Sequence, residues 1–206
     1  MFNSAFDAIV PMLCVTLAAL AAMGAEAFRG PGERMPIGGL GIVGLLGAGI
    51  SSVLLWNRNA ASFGVIVADN FGLFVTVVLV AVGILTIMFS SQVVARDGLP
   101  AGEYYALVLF SIVGMIMMAT ANDLLVIFIA LEVLSLAVYV LTGIRREDPR
   151  ATEAAFKYFL LGAFSSAFFL YGIAFAYAVA GTTKLDDIGV RIASSDRKST
   201  RLNSSH

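Results

Sequence analysis

Long apolar stretches separated by short polar breaks dominate this chain. A helix rises about 1.5 Å per residue, and a hydrocarbon core is about 30 Å thick, so a spanning helix needs roughly 20 apolar residues. The pattern predicts six such helices, at roughly 8–28, 37–56, 71–92, 104–121, 123–144 and 151–180. The last is long enough to include an interfacial end. Backbone groups in lipid must be satisfied internally, so helices are the expected spanning element, and the runs are too long and continuous for barrel strands. The fold class read from the pattern is an all-α, polytopic membrane helix bundle over residues 1–190. Pro31, Pro36, Pro100 and Pro149 fall in loops or at helix starts, where a missing N–H costs little, and Pro11 falls in the first turns of the first helix.

The polar breaks carry topological information. Arg29, Arg34, Arg96, Arg145, Arg146 and Arg150 lie in one alternating set of loops, and Arg58 lies in the other set. The excess of positive charge predicts that the first set is cytoplasmic and the N-terminus faces outward. The segment MFNSAFDAIVPM has no basic region before its apolar run, which predicts that the first run is retained as a helix and is not cleaved as a signal. Trp56, Tyr104 and Tyr105 sit at predicted helix ends, as interfacial aromatics should. Residues 191–206 are polar and basic without apolar pattern, and are expected to be a disordered or non-native tail. The string DRKSTRLNSSH resembles a translated sequencing adaptor, which leads to the expectation of a natural protein continuing past about residue 190.

Composition narrows the function. Of the 206 residues, 59% are hydrophobic and 13% charged, with a net charge of −1, so nothing points to a nucleic-acid partner. Cys14 is the single cysteine and His206 the single histidine, which argues against disulfide, zinc and haem sites. The glycine run GGLGIVGLLGAG follows no strand and lies in an apolar helix, so it is not a nucleotide loop. The cluster GMIMMAT reads as lipid-facing or filling side chains.

Glu132 is the most informative residue. It lies in DLLVIFIALEVLSLAVYVLTGI, about 12 Å from the outer end of its predicted helix and about 18 Å from the inner end. A carboxylate at that depth costs at least about 2.5–3.5 kcal/mol, and such residues face a bundle interior or a water-filled cavity. Ser135, Tyr139 and Thr142 follow on the same face. Glu153 and Lys157 open the next helix four residues apart, in the better orientation for a pair. The short connection 145–150 makes these helices antiparallel neighbours. Lys157 and Glu132 are expected to differ in depth by roughly 8 Å, a gap one or two waters could bridge, so the pair is a candidate proton relay. The plainer readings are a protonated Glu132 bonding a neighbouring helix and a Lys157 reaching back to the interface. Gly162 and Ser166 have small-xxx-small spacing for close helix packing. Asn122 and Asp123 look like a helix start, with Asn122 as N-cap.

The pieces ANDLL, LEVLSLAVYVL, the RRED loop and EAAFKYFLLGAFSSAFFLYG, in this order and spacing over about 103–183, resemble chain N of the proton-pumping NADH:quinone oxidoreductase, respiratory complex I. The resemblance implies an antiporter-like subunit fold of about fourteen helices, incomplete here. It implies a chain of the proton-translocating arm, with no redox centre of its own. NADH, FMN, iron–sulfur clusters and quinone are then expected in partner subunits, and the partners of this chain are the other membrane subunits and the bilayer. Glu132 matches the family's glutamate on the fifth helix, Lys157 the lysine on the sixth, and Glu153 the acidic residue just before it. No cofactor-binding or metal residue is implied. The family's further channel lysines lie on helices beyond this chain. The expected location is the bacterial inner membrane. Two other functions compete: a Na⁺/H⁺ antiporter-type or hydrogenase membrane subunit, and a structural membrane protein whose Glu132 only packs helices.

Overall fold

A computed structural model describes residues 4–28 and 36–191. After a short turn of helix, α1 (Ser4–Asp7), come α2 (Val10–Ala27), α3 (Ile37–Leu54), a hairpin of β1 (Ala60–Ser62) and β2 (Ile66–Ala68), then α4 (Asn70–Arg96), α5 (Ala101–Thr120), α6 (Leu124–Thr142) and α7 (Pro149–Ala180). Residues 185–191 are again helical. Among the described residues, helices α2 to α7 are the six long and apolar enough to cross a membrane. The chain is thus a polytopic helix bundle with the predicted number of spans. The loop expected at 29–36 lies outside the described residues except for Pro36, and the tail lies outside them beyond Arg191.

Prolines and caps mark the helix starts. Pro36 and Pro100 are the N-cap residues of α3 and α5, and Pro149 opens α7. The N-cap of α6 is Asp123, whose carboxylate accepts from Leu125 N at 2.8 Å, and not Asn122 as expected. Asn122 N donates instead to Val65 O of the hairpin. Helix α4 runs four residues past the expected end, because no helix breaker intervenes before Gly98, which takes φ +62°. The hairpin was not expected in the 57–70 loop. Its turn places Phe63 (φ 52°) and Gly64 (φ 70°) in left-handed conformations, the geometry of a tight hairpin turn.

Helix α5 is the centre of the bundle, packed against α2, α3, α4 and α6. Burial reaches 56% of the residues in its most apolar stretch, against 6% in α7, which packs chiefly on α6. Lipid tails are as apolar as leucine, so close van der Waals packing has to hold such helices together. Small residues supply it: Ala18, Ala19 and Ala22 of α2 are buried against α3 and α5, and Gly44 of α3 sits over Ala18. The glycine run lies wholly within α3, in agreement with its reading as helix. Tyr105 is an exception to expectation. It is 5% exposed in the main core, stacked edge-on with Tyr104, and so is a packing residue, whereas Trp56 is exposed at the hairpin end.

The opposite end gathers arginines and their partners. Asp97, just after α4, pairs with Arg96 and with Arg145 of the α6–α7 connection, and Arg146 reaches Glu103 of α5 at 2.6 Å. The Arg96 hydrogen bond to Asp97 holds that carboxyl below its ordinary value of 3.8. A depressed carboxylate value contributes stability that is fully present above 3.8 and is lost as the pH falls through the lower folded value. Asp97→Asn is therefore expected to flatten the acid limb of a thermal-stability profile in detergent below about pH 4, and to change nothing near neutrality beyond a small uniform loss.

A carboxylate on the seam between helices α6 and α7

Helices α6 and α7 carry all the residues singled out for chemistry. Each begins at an aspartate cap: Asp123 for α6, and Asp148, which accepts from Arg150 N at 2.9 Å, for α7. The short connection between Thr142 and Pro149 forces the two to run antiparallel, as expected. At the far end, Leu124 N donates to Thr183 O, Thr183 Oγ1 donates to Asp123 Oδ2 at 2.7 Å, and Asn122 Nδ2 donates to Asp186 Oδ2 at 2.8 Å. Asp123 is only 6% exposed. This polar knot ties the start of α6 to the chain leaving α7, and together with the short connection at the other end it fixes their relative height.

Three contacts define the seam. Near the α6–α7 connection, Gly143 faces Ala155 closely enough that a Cβ on Gly143 would lie 2.9 Å from the alanine methyl. One level further in, the Tyr139 ring packs edge-on against Tyr158 at 4.9 Å and Phe159 at 5.9 Å, and its hydroxyl fills the notch left by Gly162. Deeper still, Ser166 Oγ donates to Glu132 Oε1 at 2.5 Å. Gly162 and Ser166 are one turn apart on α7, so the small-residue spacing does bring the helices together. Ser166 also bonds the Glu132 carboxylate, a role that sequence spacing did not reveal. Glu132 is half-buried, with apolar neighbours along its helix in both directions.

The structure divides the expected constellation. Glu132 and Tyr139 face α7, and Ser135 is half-buried. Thr142 turns back to its own helix, donating to Val138 O at 2.9 Å. Lys157 and Glu153 do form the expected i,i+4 pair, at 2.5 Å, with side chains 69% and 63% exposed. Lys157 lies nine residues from Ser166, about 13 Å along α7, so its separation in depth from Glu132 exceeds the 8 Å expected. The reason is the register: Ala155 is level with Gly143, so the first turn and a half of α7 projects beyond the end of α6. Lys157 therefore sits near the arginine-rich end, with its side chain exposed.

The region that carries this seam matches the family described as NADH:quinone oxidoreductase/Mrp antiporter, TM, over residues 121–204. The chain is 37% identical over 183 residues to NADH-quinone oxidoreductase subunit N of Trichlorobacter lovleyi, a match covering 88% of this chain and 38% of that protein. It is 44% identical over 149 residues to NADH-quinone oxidoreductase subunit N 1 of Solibacter usitatus, covering 72% and 31%. Among solved structures, it is similar to a chain of respiratory complex I from Thermus thermophilus with bound aureothin, at 30% identity and a TM-score of 0.71, covering 85% of this chain and 38% of that one. A chain of an archaeal membrane-bound sulfane sulfur reductase shares the fold, with a TM-score of 0.75 at 20% identity, covering 89% and 39%. The chain thus spans well under half the length of these relatives. Over that shared length it belongs to the subunit N family of NADH-quinone oxidoreductases, with the antiporter-like membrane fold.

Proposed function

We propose that the chain carries protons through the membrane arm of an NADH:quinone oxidoreductase, with Glu132 as the proton-carrying group. The observation that carries this reading is a carboxylate held by a serine hydroxyl on the seam of two apolar helices. A carboxylate in an apolar span costs at least about 2.5–3.5 kcal/mol to insert, and a hydrogen-bonded position on a helix seam suits a transport group. In this reading electrons pass from NADH to quinone in partner subunits, and this chain holds no redox centre. NADH, FMN, iron–sulfur clusters and quinone all bind elsewhere in the complex. The other membrane subunits are its neighbours. Lys157, with Glu153 beside it, is the next proton-accepting group toward the arginine-rich end, and the approximately 13 Å step from Glu132 requires bridging water. The location is a bacterial inner membrane, with the arginine-rich end cytoplasmic and the N-terminus periplasmic.

The relatives named as subunit N support this reading over a sodium-exchanging one. The test uses inverted membrane vesicles that carry the full-length protein in its complex. NADH-driven proton uptake is expected to run at full rate in sodium-free buffer and to stop when quinone reduction is inhibited. Uptake that needs sodium and continues without NADH oxidation would establish the antiporter alternative instead.

A further inference from the structure

Glu132 is hydrogen-bonded to α7 by the Ser166 hydroxyl, which donates to its carboxylate at 2.5 Å. We infer that Ser166 is the positioning residue for the Glu132 carboxylate, and that it links the protonation of Glu132 to the placement of α7. The inference rests on the reading of Glu132 as the proton carrier.

Four observations carry it. The hydrogen bond joins residues 34 apart in sequence, so it reports tertiary placement and not local helix geometry. Serines and threonines elsewhere in these helices, such as Ser52, Thr76 and Thr142, return their hydroxyls to a carbonyl of their own helix three or four residues back. Ser166 departs from that habit and crosses to α6. The neighbouring level of the seam, Tyr139 in the Gly162 notch, leaves no room for the helices to slide without expelling the phenol. The height of α7 is also anchored at the Asp123–Thr183 knot. A serine hydroxyl donates to an ionised carboxylate, and can stay bonded to the carbonyl oxygen once the acid is protonated. It therefore holds one orientation of the group through both states. Because Lys157 sits on the same helix, any movement of α7 that repositions Lys157 also moves the donor on Glu132.

The experiment compares Ser166→Ala, Ser166→Thr and Glu132→Gln in the full-length protein within its assembled complex. Two readouts are taken: NADH-driven proton uptake by vesicles, and the redox-induced infrared difference spectrum, in which the Glu132 carboxyl band is the one absent from Glu132→Gln. Ser166→Ala is expected to slow uptake about threefold to tenfold and to move the band to higher frequency, as loss of a hydrogen bond to the carbonyl requires. Ser166→Thr, which keeps the hydroxyl, is expected to restore both. A band and an uptake rate unchanged in Ser166→Ala, while Glu132→Gln abolishes uptake, would overturn the role of Ser166 and leave the proposed function standing. Unchanged uptake in Glu132→Gln would remove the functional reading itself. A slowed uptake with an unmoved band would also overturn the inference, because the serine would then act through packing alone.

Discussion

Gly114→Leu is expected to prevent the full-length protein from accumulating in the membrane, and Gly114→Ala to lower its amount severalfold. Gly114 lies in α5 where that helix crosses α6. A Cβ there would stand 2.7 Å from Leu134 N, 2.8 Å from Ala130 O and 2.9 Å from Leu134 Cβ. Two of these atoms are backbone, and Ala130 is fully buried, so no rotamer change relieves the overlap. The whole of α6 would have to move away, and Glu132 lies between Ala130 and Leu134 on that helix. Overpacking a tight core costs about 1–3 kcal/mol even where side chains can adjust, and more where backbone must shift. Gly24→Ala is the natural control, since a Cβ at Gly24 meets nothing within 4 Å and alanine favours a helix by about 1 kcal/mol over glycine. Size-exclusion profiles of the solubilised complex check both substitutions. Equal yields of Gly114→Ala and wild type would show that α5 and α6 are not as close as described.

Glu132→Gln carries the largest functional effect. Glutamine keeps the shape of the side chain, and its amide oxygen can still accept from Ser166, so packing on the seam is retained. What disappears is a group that takes and releases a proton. Positioned acid–base groups contribute about 10²–10⁴-fold to proton-transfer rates, so proton uptake is expected to fall at least about tenfold in a complex that still assembles. Glu153→Gln is expected to do much less. Its carboxylate is 63% exposed and its pair with Lys157 is a surface pair, of a kind that contributes little. The initial rate of dye-reported proton uptake in proteoliposomes, measured beside a gel of the assembled complex, separates transport from assembly.

Much of the architecture was legible because hydropathy alone determines where a chain can span a bilayer. The six spans fall where the apolar runs placed them, and the prolines mark their starts. The misses have local causes. The hairpin between α3 and α4 is only three residues per strand, too short for an alternating pattern to stand out. Tyr105 was read from its position at a helix end, whereas the tight crossings around α5 draw it into the core. Glu132 was legible, because a lone carboxylate inside an apolar run is costly. Its partner was not, because choosing Ser166 over Lys157 depends on the register of α6 against α7. That register is determined by Gly143 against Ala155 and by Tyr139 in the Gly162 notch, contacts that join residues 12 and 23 apart in sequence. Small residues at i,i+4 on α7 signalled close packing, but not which polar atom would meet the carboxylate. The Asp123 knot was hidden for the same reason: Thr183 and Asp186 lie 60 or more residues away.

The most direct test of Glu132 as the proton carrier is the number of protons taken up per NADH oxidised, together with the rate, in inverted vesicles carrying the full-length protein with Glu132→Gln in its assembled complex. A proton uptake rate at least about tenfold below wild type is expected, with the complex present in normal amount. Wild-type uptake at wild-type stoichiometry in that variant would contradict it, and would leave Glu132 as a residue that only packs α6 against α7.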